Sequence, residues 1–225
     1  MGGRWYNARM TVLDPLLHSP RLPQFVQELE SILDAERAAR VRFFDDVRED
    51  QKAEFINGEV IVHSPARFEH VATSDNLLQL LKTHVTKHNL GFVGHEKLLI
   101  SLTRNDYEPD ISFFVPAKAA KFTPDQMKFP APDLVVEILS PSTQSMDRGV
   151  KWEDYAAHDV NEYWIVDPGE QTIEQYLLEG GTYKLAVKIQ DGIIKSRAIR
   201  GLELPVRAAF DAKLHLEALA GIING

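Results

Sequence analysis

Three residues in the middle of the chain have the side-chain types of a site for a divalent metal ion and a phosphate group. Asp110 follows a proline at the start of one predicted strand, Glu137 is the one charge in an apolar run, and Lys151 follows in a predicted helix. Neighbouring strands lie about 4.8 Å apart, so carboxylates on one face of adjacent strands can share a hard cation such as Mg²⁺. The spacing predicts an ion held by Asp110, Glu137 and the backbone carbonyl of Ile138. Lys151 would hold a water or stabilise charge on a phosphate.

Each of these residues also has an interpretation without chemistry. Asp110 is a common residue type at the turn before a strand, and Glu137 is equally compatible with a buried ion pair to Lys151. Lys151 itself is compatible with a solvated helix charge paired with Asp147 or Asp154. No single one of these residues is therefore diagnostic of a metal site. The combination of the three favours metal chemistry more than any one of them does.

The elements that must position these residues follow from the apolar periodicity. The order is helix, hairpin, helix, three strands, helix, strand and a β meander, which predicts an α/β or α+β fold with a mixed sheet flanked by helices. We expect an N-terminal helical extension over residues 1–45, serving as a packing or dimerisation arm, and one domain over residues 46–225. The predicted elements are a helix at 22–41, a hairpin at 53–63 turning at Asn57-Gly58, a helix at 68–88, strands at 92–102, 110–115 and 134–139, a helix at 145–158, a strand at 163–166, a meander from 172 to 199 and a last helix from about Phe210.

Within the helix predicted at 145–158, Asp147, Lys151 and Tyr155 recur at intervals of four residues and share one stripe. Asp147 and Tyr155 are therefore expected to support Lys151. The aromatic residues nearby are expected in the core: Trp152, Tyr163 and Trp164.

Composition narrows the class of protein. The chain has 225 residues and no cysteine, which excludes disulfides and thiolate metal sites and favours hard ions bound through oxygen or histidine. No apolar run approaches the roughly 20 residues of a membrane span, so no membrane partner and a cytoplasmic location are expected. The formal net charge of -8 opposes bulk electrostatic binding of DNA, although metal ions bound by the acids would restore attraction locally.

Three segments of the chain resemble a known family. They are Glu108-Pro109-Asp110-Ile111-Ser112-Phe113, the run from Ala131 to Thr143 (APDLVVEILSPST), and Glu162-Tyr163-Trp164-Ile165-Val166-Asp167-Pro168. Together with Asn57-Gly58-Glu59, Ser64-Pro65 and His70, they resemble the Uma-type restriction endonuclease family of the PD-(D/E)XK nuclease superfamily. The resemblance covers roughly residues 54–204 in order.

The resemblance implies a restriction endonuclease-like core with Asp110 as the aspartate after proline and Glu137 as the acid of the (D/E)XK element. It also implies that His70 belongs to the site, and that a third acid comes from Glu54, Glu59 or Glu69, although a surface position is expected for each of the three. The position two after Glu137 is Leu139 where the superfamily has lysine, so Lys151 would be a migrated replacement.

Two functions remain open at this point. The first is an Mg²⁺- or Mn²⁺-dependent endonuclease that cuts DNA phosphodiesters with activated water, working as a homodimer as restriction enzymes often do. The second is a non-catalytic or regulatory protein-binding member of the same fold, favoured by the net charge and by the missing strand lysine. A sugar or acyl hydrolase is disfavoured, because no nucleophile elbow is present.

Overall fold

The computed structural model describes residues 13–48 and 51–225. The first 12 residues of the predicted N-terminal extension lie outside the described residues. The helices are α1 (Leu22–Asp46), α2 (Phe68–Lys87), α3 (Pro116–Ala119), α4 (Gln144–Asp147), α5 (Val150–Ala157) and α6 (Ala212–Asn224). The strands are β1 (Ala53–Ile56), β2 (Glu59–Val62), β3 (Phe92–His95), β4 (Leu99–Ser101), β5 (Asp106–Tyr107), β6 (Ile111–Phe114), β7 (Lys128–Phe129), β8 (Leu134–Ile138), β9 (Glu162–Asp167), β10 (Thr172–Glu179), β11 (Thr182–Ile189), β12 (Ile193–Lys195) and β13 (Glu203–Pro205).

A six-stranded mixed sheet forms the centre of the molecule, in the order β11-β10-β9-β8-β6-β3. Strand β8 runs parallel to β9 and antiparallel to β6. All five of its residues are buried, as expected for a strand covered on both faces. Helices α2 and α6 contribute to the core on one face of this sheet, and α5 contributes to the core on the other. The structure confirms the predicted mixed sheet flanked by helices.

A second sheet has five strands in the order β2-β1-β5-β4-β7. In it the N-terminal hairpin, β1 and β2, pairs through β1 with β5 from the middle of the sequence. Strands β1 and β2 pair around the predicted Asn57-Gly58 turn, where both residues have a positive φ. The single strand predicted at 92–102 is wrong, because Glu96 adopts φ 45° and the chain divides into β3 and β4 in different sheets. Between the strands predicted at 92–102 and 110–115, the chain forms the additional short strand β5.

Two further predicted elements are shorter or divided. The helix predicted at 145–158 breaks into α4 and α5, with Arg148 and Gly149 between them and Gly149 in a non-helical conformation (φ -118°, ψ -105°). The predicted meander holds as far as the β10-β11 hairpin, but β12 ends at Lys195 and pairs with β13 in a separate two-stranded sheet.

Helix α1 is anchored to the body only by its second half. Phe43 packs on Phe55 of β1, and Arg40 donates to both carboxylate oxygens of Asp106 at 2.6 and 2.8 Å. In the first half, by contrast, Leu29 and Ile32 are 54% and 53% exposed. None of the described helices combines the length and the apolarity that crossing a membrane requires.

Candidate functional site

The ends of β6 and β8 bring the two predicted metal ligands to one place. Ile111 pairs with Val136 in the antiparallel ladder, so Asp110 and Glu137 are the next opposed pair beyond it. Both side chains are buried, and both line a cavity of about 590 Å³ that we call the site cavity. The two acids therefore share one side of the sheet, which is the condition for binding a common ion.

Both carboxylate oxygens of Asp110 have partners. Lys52 donates to Oδ1 at 2.8 Å, the backbone N–H of Ile138 donates to Oδ2 at 2.7 Å, and Nε2 of His70 lies 3.4 Å from Oδ2. Burial opposes the charge on Asp110, but His70 and Lys52 outweigh burial and hold the pKa of this carboxyl well below its ordinary value. Asp110 is therefore an ionised and oriented carboxylate.

Ile138 was predicted to contribute its carbonyl oxygen, whereas the contact that the structure gives is through its N–H to Asp110. Its neighbour Leu139 donates instead to Val166 of β9. The N–H and C=O of one strand residue point to the same side of the strand, so the carbonyl of Ile138 faces the side of Asp110 as well. Ile138 also lines the site cavity.

Lys151 is the centre of a buried cluster of charges. Its Nζ lies 2.9 Å from Oε1 of Glu54, 3.2 Å from Oε1 of Glu137 and 3.2 Å from Oδ1 of Asp147. The side chain is 2% exposed, so the interpretation of Lys151 as a solvated helix charge is wrong. Burial disfavours its charge, but the three carboxylates raise the pKa of Lys151 well above its ordinary value and keep it an ammonium.

Glu54 is the acidic residue that the N-terminal hairpin supplies to this cluster. Its Oε1 accepts a 2.9 Å hydrogen bond from the backbone N–H of Glu108, and its Oε2 lies 3.0 Å from Nε2 of His63. Burial opposes its charge, yet Lys151 and His63 lower the pKa of Glu54 to about 2. The expected surface position is therefore wrong for Glu54, although it is correct for Glu59 and Glu69, which are exposed.

Glu137 has the opposite electrostatic balance. Burial raises its pKa well above the ordinary value, because Lys151 does not fully offset desolvation and the charges of Asp147, Asp110 and Glu54 add to it. The pKa of Asp147 is raised by burial in the same way. The buried Oδ1 of Asp147 contacts Nζ of Lys151 at 3.2 Å in an ion pair that lacks hydrogen-bond geometry. The cluster therefore holds more negative charge than its two lysines, Lys52 and Lys151, balance.

Tyr155 and His70 also lie at the site, and Tyr155 contacts Glu137 where a contact with Lys151 was expected. Tyr155 donates to Oε1 of Glu137 at 3.3 Å, and His70 lines the site cavity with a buried Nδ1 that has no hydrogen-bond partner within residues 13–48 and 51–225. The predicted core aromatics Tyr163 and Trp164 are fully buried, and Trp152 packs edge-on against two tyrosines.

Sequence reasoning missed Lys52, since nothing marks this lysine before β1 in a polar segment. The sequence does contain a pattern that marks Glu54 as a buried acid. Like Glu137, it is the one charge in a short apolar strand, Ala53-Glu54-Phe55-Ile56. A carboxylate in such a strand needs a compensating partner.

No set of three or more His, Asp and Glu side chains in the described parts of the chain is arranged so that it could hold a metal ion. The acids of the site form ion pairs with ammonium groups, which occupy the space that a metal ion would need. Lys52 is bound to Asp110, and Lys151 to Glu137 and Glu54.

Comparison with known proteins places this geometry in a family. Two uncharacterised proteins of Synechocystis sp. (strain ATCC 27184 / PCC 6803 / Kazusa) are similar to the chain. One is 32% identical over 129 residues, 56% of this chain and 72% of that protein. The other is 30% identical over 132 residues, 57% of this chain and 67% of that protein.

A solved structure from Anabaena variabilis ATCC 29413, described as a "putative nuclease belonging to DUF820", has the same fold. It superposes with a TM-score of 0.65 at 20% sequence identity, covering 76% of this chain and 96% of that one. The model of the Uma2 family, described as "Putative restriction endonuclease", matches residues 39–207, which include Asp110, Glu137, Lys151, Glu54 and Lys52. The protein belongs to the Uma2 family, and its fold is that of a restriction endonuclease-like nuclease.

Proposed function

We propose that the protein is an endonuclease that hydrolyses DNA phosphodiester bonds with the help of Mg²⁺ or Mn²⁺. The observation that carries the proposal is the opposed pair Asp110 and Glu137, which lines one cavity together with the buried ammonium of Lys151, 3.2 Å from Glu137. Two carboxylates beside a cation are the groups that phosphodiester hydrolysis requires. Membership of the Uma2 family supports the same class of reaction.

The donor set and the charge of the site fit a divalent ion. Four carboxylates, those of Glu54, Asp110, Glu137 and Asp147, face two lysines. Burial first, and then the charges of the other three acids, raise the pKa of Glu137. Oxygen donors are the ligands that Mg²⁺ prefers. Asp110, Glu137 and the carbonyl of Ile138 would hold the ion, with Glu54 as the third acid of the cluster.

Such an ion, when bound, activates water and the phosphodiester as a Lewis acid. The protein's own groups provide the rest. Lys151 fixes Glu137 and Glu54 by ion pairs, and the N–H of Ile138 fixes Asp110. His70 can hold a proton at Nε2 beside Asp110, since this contact raises its pKa against the effect of burial. DNA would enter through the open side of the site cavity, past exposed Arg67.

The direct test is cleavage of supercoiled plasmid by the purified protein with Mg²⁺ or Mn²⁺. We expect nicking that EDTA abolishes and that Glu137→Ala and Glu54→Gln reduce at least about 100-fold, as for removal of groups that stabilise transition-state charge. Glu203→Ala is the matched control, because Glu203 forms an exposed ion pair with Lys195 outside the site cavity. Equal nicking by the Glu137→Ala protein would show that the activity comes from elsewhere.

A non-catalytic, partner-binding role has one specific observation in its favour, the lack of a ready-made group of three metal-binding side chains among the described residues. Calorimetry separates the two functions. Folded protein that takes up neither Mn²⁺ nor Mg²⁺ at millimolar concentration would support the non-catalytic role.

A further inference from the structure

Lys52 contacts the carboxylate of Asp110, the same group that is proposed to bind the metal ion. Its Nζ lies 2.8 Å from Oδ1 of Asp110, and its side chain lines the same cavity as Glu137. The ion pair with Asp110 places the ammonium of Lys52 inside the site, where its side chain is 24% exposed. A positive charge thus already lies beside the two acids.

The three groups around Asp110 differ in how easily they can leave. The N–H of Ile138 is part of β8 and cannot turn away without breaking the strand. His70 is anchored on helix α2, and its contact to Oδ2 is the longer one at 3.4 Å. Lys52 lies outside regular structure, has a flexible four-carbon stem and is 24% exposed. Lys52 is the partner that can exchange.

Lys151 cannot take over this exchange. It is 2% exposed and held by Glu54, Glu137 and Asp147 together. Moving it would leave three buried carboxylates without a cation, which is strongly unfavourable. The two lysines of the site therefore differ, since one is locked and the other can move.

We propose that Lys52 is the resident counter-ion of Asp110, that a divalent ion displaces it from Oδ1, and that its released ammonium then binds a phosphate of the DNA. This inference rests on the proposed nuclease function and deepens it. Metal binding and substrate binding become linked, because the ammonium of Lys52 that leaves Asp110 is the group that binds the phosphate. An ammonium on a flexible stem is a suitable point charge for a phosphate oxygen.

The test measures Mn²⁺ affinity by calorimetry or by electron paramagnetic resonance, on wild type and Lys52→Met. We expect Lys52→Met to bind Mn²⁺ about tenfold more tightly, since the competing ammonium is gone, and to bind a labelled 20-base-pair duplex more weakly in Ca²⁺. The logarithmic salt dependence of duplex binding should fall by about one unit, as for loss of one phosphate contact. A lysine with a purely structural role would not tighten metal binding when removed.

Two further variants make the result specific. Lys118 forms a 3.1 Å ion pair with Asp133 and does not line the site cavity. Lys118→Met should therefore leave the Mn²⁺ affinity unchanged. Lys52→Gln removes the charge but keeps a hydrogen-bond donor, and it should tighten Mn²⁺ binding in the same direction even if Lys52→Met folds poorly.

The outcomes separate this inference from the proposed function. If neither wild type nor the Lys52 variants bind Mn²⁺, the nuclease proposal fails. If wild type binds Mn²⁺ and the Lys52 variants bind it equally or more weakly, the counter-ion exchange is wrong while the metal-dependent nuclease stands.

Discussion

The backbone N–H of Ile138 donates a 2.7 Å hydrogen bond to Oδ2 of Asp110. The residue that follows Glu137 in its strand thus orients the other acid of the pair. Because this hydrogen bond joins the ends of β6 and β8, the spacing of the two carboxylates is fixed by the sheet and not by flexible loops. Rigid elements that hold reacting groups reduce the reorganisation needed during catalysis.

Lys151 is expected to be essential for folding as well as for activity. Lys151→Met removes the cation from Glu54, Glu137 and Asp147, and breaking a buried ion pair in this way costs about 3–5 kcal/mol. Urea unfolding at pH 7 would measure the loss. Lys195→Met is the control, because its exposed pair with Glu203 should be worth at most about 1 kcal/mol. Equal stability of the two variants would contradict the central role of Lys151.

Glu137→Gln should stabilise the metal-free protein at high pH. The pKa of Glu137 is raised in the folded state, chiefly by burial, so its ionisation opposes folding. Below the ordinary value of 4.5 both states hold the proton and wild type and variant should be equal. As pH rises above 4.5 towards the folded-state pKa, wild type loses stability and the uncharged variant does not. We expect an advantage of about 1 kcal/mol for the variant at pH 8, a typical gain when a functional site is neutralised.

Thermal unfolding in EDTA at pH 4.5 and pH 8 would measure this difference, and added Mn²⁺ should stabilise wild type only. Glu174→Gln is a control for which the opposite change in folding stability is expected. Arg148 above all lowers the pKa of Glu174 to about 2, so its charge favours folding and the variant should lose stability at pH 8. A less stable Glu137→Gln protein at pH 8 would show that the carboxylate of Glu137 is fully balanced without metal.

The positions of Asp110 and Glu137 could be predicted because they depend on local pattern. An acid inside a β-branched run demands compensation, and adjacent strands place opposed side chains together. The division of the predicted helix at Gly149, and of the predicted strand at Glu96, could not be predicted in the same way. The division at Glu96 depends on where the chain turns from the six-stranded to the five-stranded sheet, which is a property of the whole fold.

The contacts of Lys52 and the burial of Glu54 also depend on tertiary structure. Both residues precede Asp110 by more than 50 positions, and only the pairing of β1 with β5 brings their hairpin beside the central sheet. A lysine in a polar segment has no pattern that distinguishes a site residue from a surface charge. Sequence therefore predicted the two acids of the central sheet, left Glu54 as one of three candidates for the third acid, and missed Lys52.

The first half of α1 is expected to hold two copies of the chain together. Its side chains Leu29 and Ile32 are more than half exposed, and an isolated helix of this length is only marginally stable in water. A two-fold pair of nucleases would present one site to each DNA strand.

Light scattering after size-exclusion chromatography would measure this dimer. We expect wild type to elute as a dimer at micromolar concentration and the double variant Leu29→Ser, Ile32→Ser to elute as a monomer with an unchanged fold, because serine removes the apolar area that pairing buries. Met127→Ser is the matched control, since Met127 is an equally exposed apolar side chain, 65% accessible, in another part of the molecule. A wild-type monomer at about 100 µM would show that this half of α1 does not pair two copies of the chain.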